Sequence, residues 1–95
     1  MRLEKKFPKK RVIITGAGSG LGRATALEFA KMKWSVAIAE IQKKRGEETA
    51  AMVRELGGAA MVIPCDVTKP KDLDRVLATL IKEWNGIDIL INNAG

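Results

Sequence analysis

The chain has no histidine and no tyrosine, a single cysteine, and only two tryptophans and two phenylalanines among its 95 residues. Without histidine, the Ser-His and Cys-His nucleophilic arrangements are excluded, and so is a His/Cys metal cluster. No metal site and no catalytic nucleophile are therefore expected. A lone Cys65 cannot close an internal disulfide, which makes a reducing cytosol the natural setting. Cys65 itself reads as a small buried residue at the end of a strand. No run approaches the roughly 18 apolar residues of a membrane helix, and no apolar stretch of a secretory signal follows the basic N-terminus. A soluble, cytoplasmic protein with no membrane partner is expected.

Charge of one sign is also scarce once it is located. The net charge is +6, but Arg2, Lys5, Lys6, Lys9, Lys10 and Arg11 against Glu4 put +5 of it in residues 1–11 and leave +1 for residues 12–95. Such a basic arm, residues 1–10, reads as a solvated terminus. No nucleic-acid partner is expected, because no aromatic platform for stacking bases accompanies the charge. Phe7 is expected to pack under the first strand.

What is present is strand-helix alternation. Residues 12–15, 35–39, 60–63 and 87–91 read as apolar, β-branched strands, and residues 21–33 and 44–56 as helices. In the second helix Thr49, Met52, Val53 and Leu56 form a stripe at helical spacing, which makes Met52 core packing, and Gly57-Gly58 supplies the stop. Thr68 can cap a third helix carrying Leu73, Val76, Leu77, Leu80 and Trp84, ended by Asn85-Gly86. The first helix has no glycine at its end, only Lys33-Trp34, and Trp34 is expected to be partly buried. This alternation predicts one α/β domain, a Rossmann-like parallel sheet of four strands in the order 3-2-1-4 with three helices on its two faces. The order reverses direction between strands 1 and 4, which opens a ligand crevice at their carboxyl ends.

Thr15-Gly16-Ala17-Gly18-Ser19-Gly20-Leu21-Gly22 lies at that crevice, directly after the first strand. Gly-x-Gly-x-x-Gly fails, since Leu21, Arg23 and Thr25 stand where its third glycine would fall. A P-loop fails because Ala17 occupies its first glycine. What remains is Thr-Gly-x-x-x-Gly-x-Gly, with Asp66-Val67 after the third strand and Asn92-Asn93-Ala94-Gly95 after the fourth. Those three features, in that order, resemble the short-chain dehydrogenase/reductase family.

Gly16 allows a tight turn, Gly20 a close approach to a pyrophosphate, and Gly22 close helix-sheet contact. Ser19 and Leu21 would add backbone amides, and Ser19 a hydroxyl. Glu40, at the end of strand 2, stands where such folds place the acid that accepts from the adenosine ribose hydroxyls. With neither Ser19 nor Ile41 basic, the expected cofactor is NAD; NADP would have to draw on Lys43, Lys44 or Arg45. The resemblance further implies that Asp66 meets the adenine amino group and Val67 its ring. It implies that Asn93, Ala94 and Gly95 line the cofactor, while Asn92 and Thr15 serve the scaffold. It also implies a parent enzyme that interconverts a small-molecule alcohol and carbonyl and forms a homo-oligomer. The family's acid/base group is a downstream Ser and Tyr-x-x-x-Lys, which this chain lacks. It is therefore expected to be the cofactor-binding part of an oxidoreductase, a fragment inactive on its own; the alternative is a catalytically inert nucleotide-binding or interaction module.

Overall fold

In a computed structural model of the chain, which describes residues 9–93, strands and helices alternate along the sequence. They are β1 (Arg11–Thr15), α1 (Gly20–Lys31), β2 (Ser35–Glu40), α2 (Lys43–Glu55), β3 (Ala59–Pro64), α3 (Pro70–Trp84) and β4 (Ile89–Asn92). Phe7 and the basic arm up to residue 8 lie outside the described residues, as do Ala94 and Gly95. The four strands form one parallel sheet in the order β3-β2-β1-β4, with the three helices packed on its faces. This is the Rossmann-like arrangement that the alternation predicts.

The register explains why the central strands are apolar throughout. Val12 sits opposite Val36 and Ile89, and Ile14 opposite Ile38 and Ile91. Their side chains share one face and form a core with Ala26, Phe29 and Ala30 of α1 and Ala50 and Val53 of α2. Ile13, Ala37 and Ala39 point to the opposite face and pack with Val76 and Leu80 of α3. Fully burying an aliphatic side chain is worth about 1.5–3 kcal/mol, so β1 and β2, buried on both faces, anchor the sheet. β4 pairs with β1 alone among the described residues, and Leu90 and Ile81 on α3 are exposed. None of the described helices is long and apolar enough to cross a membrane.

Several boundaries differ from the sequence reading. α1 ends at Lys31, because Lys33 turns into the left-handed region at φ +65. Lys33 N–H then donates to Ala30 O, and Trp34 N–H reaches back to Phe29 O. This is a Schellman cap built on lysine rather than glycine. It folds Trp34 inward, against the Phe29 ring at 4.9 Å edge to face. Trp34 is consequently fully buried, not partly. Met52 is exposed rather than core. The buried stripe of α2 is Gly46, Thr49, Ala50 and Val53, because small residues let the helix settle close on the sheet. Thr68 does not cap α3; Lys69 occupies that position, and the Thr68 hydroxyl donates to Asp66 Oδ1 instead.

Arg11, which follows the basic arm and adds to the charge of residues 1–11, belongs to the fold. Its Nε and Nη2 clasp Asp88 Oδ2 and Oδ1, each at 3.0 Å, and Nη1 donates to the carbonyls of Trp84 and Asn85 at the end of α3. One side chain thus ties the start of β1 to the turn that feeds β4. The Arg11 hydrogen bond holds the Asp88 carboxyl below its usual value near 3.8. A folded-state pKa below the unfolded one means stability that is present above pH 3.8 and lost as pH falls through the folded value. Asp88→Asn is therefore expected to melt below wild type at pH 7, with the gap closing as the pH drops under 3.8. Thermal melts of both proteins from pH 7 to pH 2.5 check this; a gap that stays constant over that range would contradict it.

Candidate functional site

Both ends of the sheet carry a cleft, and only one gathers the motif residues. At the carboxyl ends of the strands a cleft of about 180 Å³ is lined by Gly16, Ala39, Glu40, Ile41, Cys65, Asp66 and Val67. Parallel pairing brings them together. Gly16 N–H donates to Ala39 O, and Cys65 N–H to Glu40 O, so the ends of β1, β2 and β3 lie side by side.

The glycine turn crosses one side of this cleft. Gly16 and Gly20 both have left-handed backbone, φ +65 and φ +55, which a residue with a Cβ adopts at a cost. A Cβ on Gly20 would meet nothing within 4 Å, whereas one on Gly22 would lie 2.2 Å from Gly16 O. Gly22 lets α1 pack on the turn, and Gly20 leaves its backbone open to a ligand. The same Cβ on Gly22 would stand 2.8 Å from Asn93 Nδ2, which places the Asn93 side chain next to the turn.

Ser19 precedes α1 with extended backbone and makes no side-chain cap bond. No acid occupies the first turn, so neither a capping oxygen nor a carboxylate takes up the positive end of the helix dipole. These are the properties of an anion cradle. Leu21 is highly exposed here. The donors at the start of α1 are of the kind that suits a pyrophosphate.

Glu40 is almost fully buried beside the turn. Its Oε1 accepts from Gly18 N–H at 2.9 Å and its Oε2 from Gln42 N–H at 3.0 Å. Each carboxylate oxygen retains a further lone pair for a hydroxyl donor. Gly18 was a spacer in the sequence motif, yet a Cβ there would come within 2.5 Å of Glu40 Oε1 and 2.8 Å of Arg45 Cβ. No local signal could have marked it, because the atom it avoids belongs to a residue on another strand.

Asp66 closes the far side. Thr68 donates to its Oδ1 through both N–H and hydroxyl, and these bonds hold the Asp66 carboxyl below the usual range. Its own N–H donates to Asp72 Oδ2. Cys65, buried beneath, has its thiol pushed up by burial, with the nearby Asp72 carboxylate acting in the same direction, which makes it a packing residue rather than a nucleophile. On the opposite side of β1, Thr15 Oγ1 donates to Asn92 Oδ1 at 2.8 Å and accepts from Asn93 N–H at 2.9 Å. One hydroxyl thereby fixes the end of β4 against β1. Ala94 and Gly95, expected to line the cofactor, lie outside the described residues.

The family model for short chain dehydrogenases matches residues 10–95. The chain belongs to that family. It is 40% identical over 89 residues to an uncharacterized oxidoreductase of Thermotoga maritima, covering 94% of this chain and 35% of that one. A NAD+-bound xylitol dehydrogenase superposes with a TM-score of 0.87 at 34% identity, covering 92% of this chain and 34% of the other. L-sorbose reductase from Gluconobacter frateurii, complexed with NADPH and L-sorbose, does so with a TM-score of 0.85 at 35% identity, with the same coverage. The chain thus spans about a third of the length of these proteins.

Proposed function

We propose that this chain holds a nicotinamide dinucleotide, NAD in preference to NADP, across the carboxyl ends of its strands, as the cofactor-binding part of an oxidoreductase that interconverts an alcohol and a carbonyl. The observation that carries the reading is the Glu40 carboxylate, buried at the end of β2 and hydrogen-bonded to the glycine turn. There it accepts from the adenosine ribose hydroxyls, and a 2′-phosphate would meet its charge in a poorly solvated corner. Neither Ser19 nor Ile41 is basic, so a 2′-phosphate would have to draw on Lys43, Lys44 or Arg45 for its cation.

The remaining roles follow from placement. Backbone N–H groups of Ser19, Gly20, Leu21 and Gly22 face the pyrophosphate at the start of α1. Gly16 shapes the turn. Asp66 Oδ2, which no hydrogen bond engages among the described residues, accepts from the adenine amino group, and Val67 packs on the ring. Asn93, with Ala94 and Gly95, borders the nicotinamide half. When bound, the dinucleotide supplies hydride donor or acceptor chemistry. The substrate is a small-molecule alcohol or carbonyl; no tyrosine of this chain is there to handle its proton.

Calorimetric titration with NAD+ and NADP+ tests the assignment. Wild type is expected to bind NAD+ at least about tenfold more tightly, a difference of roughly 1.4 kcal/mol. Glu40→Ala combined with Ile41→Arg is expected to remove or invert that ratio. Tighter binding of NADP+ by wild type would overturn the role given to Glu40.

A further inference from the structure

A turn can aim its N–H groups at an anion only if its carbonyls point elsewhere, because each planar peptide unit directs the two to opposite sides. Ala17 and Gly18 are buried, so their carbonyls need partners inside the protein. Two residues outside the glycine motif supply them. Thr49 Oγ1, on α2, donates to Ala17 O at 2.8 Å in a fully buried position. Arg23 Nη2, on α1, donates to Gly18 O at 2.6 Å.

The two are themselves linked. Arg23 Nε donates to Thr49 Oγ1 at 2.9 Å. A guanidinium cannot accept, so the single hydroxyl proton of Thr49 is left for Ala17 O, and the relay has one direction. Arg23 is held in turn by Arg45 O at 3.4 Å and by Glu48 Oε1 at 3.6 Å. The Ala17 carbonyl and the Gly18 N–H belong to one peptide unit, held by Thr49 from α2 and by Glu40 Oε1 from β2, and the next unit, the Gly18 carbonyl with the Ser19 N–H, is held by Arg23 from α1.

We propose that Arg23 and Thr49 are positioning residues of the dinucleotide site: Arg23 holds the Gly18 carbonyl so that the Ser19 N–H of the same peptide unit stays turned toward the pyrophosphate, while Thr49 fixes the preceding unit against Glu40 and holds Arg23 in place. The ligand half of this proposal rests on the function proposed above; the brace itself does not. Neither side chain is assigned any contact with the cofactor. Their effect is transmitted through the backbone of Ala17 and Gly18.

The test uses the 95-residue chain with Thr49→Val, Thr49→Ser, Arg23→Met and the Arg23→Met/Thr49→Val pair. Amide hydrogen exchange is followed without ligand, and binding is measured for ADP-ribose, which carries the pyrophosphate, and for adenosine, which does not. Thr49→Val keeps the shape and removes the donor, so exchange of residues 16–22 is expected to quicken while that of α3 stays unchanged. ADP-ribose affinity should fall roughly tenfold, the scale of one buried acceptor left unpaired, with adenosine affinity unmoved. Thr49→Ser should restore both readings, and the double variant should bind about as weakly as Thr49→Val alone, since both substitutions break one relay. Unchanged exchange at residues 16–22 in Thr49→Val would overturn the brace and leave the dinucleotide reading standing. Equal losses for ADP-ribose and adenosine, or a Thr49→Ser variant as weak as Thr49→Val, would reduce the pair to general packing. Failure of wild type to bind ADP-ribose would overturn the dinucleotide reading and the ligand half of this proposal with it.

Discussion

Gly22→Ala is expected to abolish dinucleotide binding and to destabilise the chain by about 2–3 kcal/mol, the upper part of the range for forcing atoms into a packed interior. The added Cβ would fall 2.2 Å from Gly16 O and 2.8 Å from Gly16 C, both backbone atoms. No side-chain rotation relieves that contact. α1 would have to lift from β1 or the turn would have to open, and either movement displaces the amides proposed to meet the pyrophosphate. For a domain of this size each kcal/mol lowers Tm by roughly 4–8 °C. Gly20→Ala is the informative partner. Its Cβ would enter open space, but the backbone sits at φ +55, so its cost is the left-handed penalty of about 1–2 kcal/mol and no collision. Thermal melts read by circular dichroism, with NAD+ titrations of both variants, separate the two causes. If Gly22→Ala folds and binds as well as wild type, the close approach of α1 to the turn is wrong.

Trp34→Ala should have the largest effect on stability, about 3–5 kcal/mol, the usual cost of emptying a buried aromatic site. Total stabilities of about 5–15 kcal/mol leave little after such a loss. Trp34 is fully buried among residues of α1, α2 and the sheet. Its ring meets Phe29 edge to face, and its backbone closes the α1 cap. Trp34→Phe keeps much of the packing and should lose distinctly less. Urea unfolding followed by circular dichroism gives both values. A Trp34→Ala loss under about 1 kcal/mol would place the side chain at the surface.

The two predictions differ in how far the sequence announces them. Gly22 belongs to a motif whose spacing is visible in one stretch, and the alternation of apolar strands with helices is enough to order the sheet. Trp34 was legible only as half-buried, because its burial depends on Lys33 taking a left-handed conformation that a lysine rarely adopts. The stop of α1 carries no glycine, so nothing local marks it. Met52 shows the limit of reading a stripe by hydrophobicity: Gly46 and Ala50 hold the contact face of α2 because the helix lies so near the sheet that a Cβ on Gly46 would touch Val62.

At the site, the residues proposed to meet the ligand and the Thr15–Asn92 pair were legible, whereas the other supporting residues were not. Gly16, Glu40 and Asp66 lie at or just beyond strand ends and Gly20 opens the helix after β1, and the topology gathers these ends. Gly18, Arg23 and Thr49 matter through partners on other elements, as Gly18 avoids Glu40 and Thr49 serves Ala17. Arg11 entered the sequence reading only as one of the charges of residues 1–11, and its fork is committed to Asp88 and the end of α3.

A titration of the isotope-labelled chain with NAD+, followed by the backbone amide signals, tests the central claim most directly, because the two clefts lie at opposite ends of the sheet. The account predicts shifts at Gly16, Ser19, Gly20, Leu21 and Gly22, at Glu40, at Asp66 and Val67, and at Asn93, saturating together. Shifts centred instead on the other cleft, lined by Lys9, Arg11, Ser35 and Trp84, or no shifts with millimolar NAD+, would contradict it.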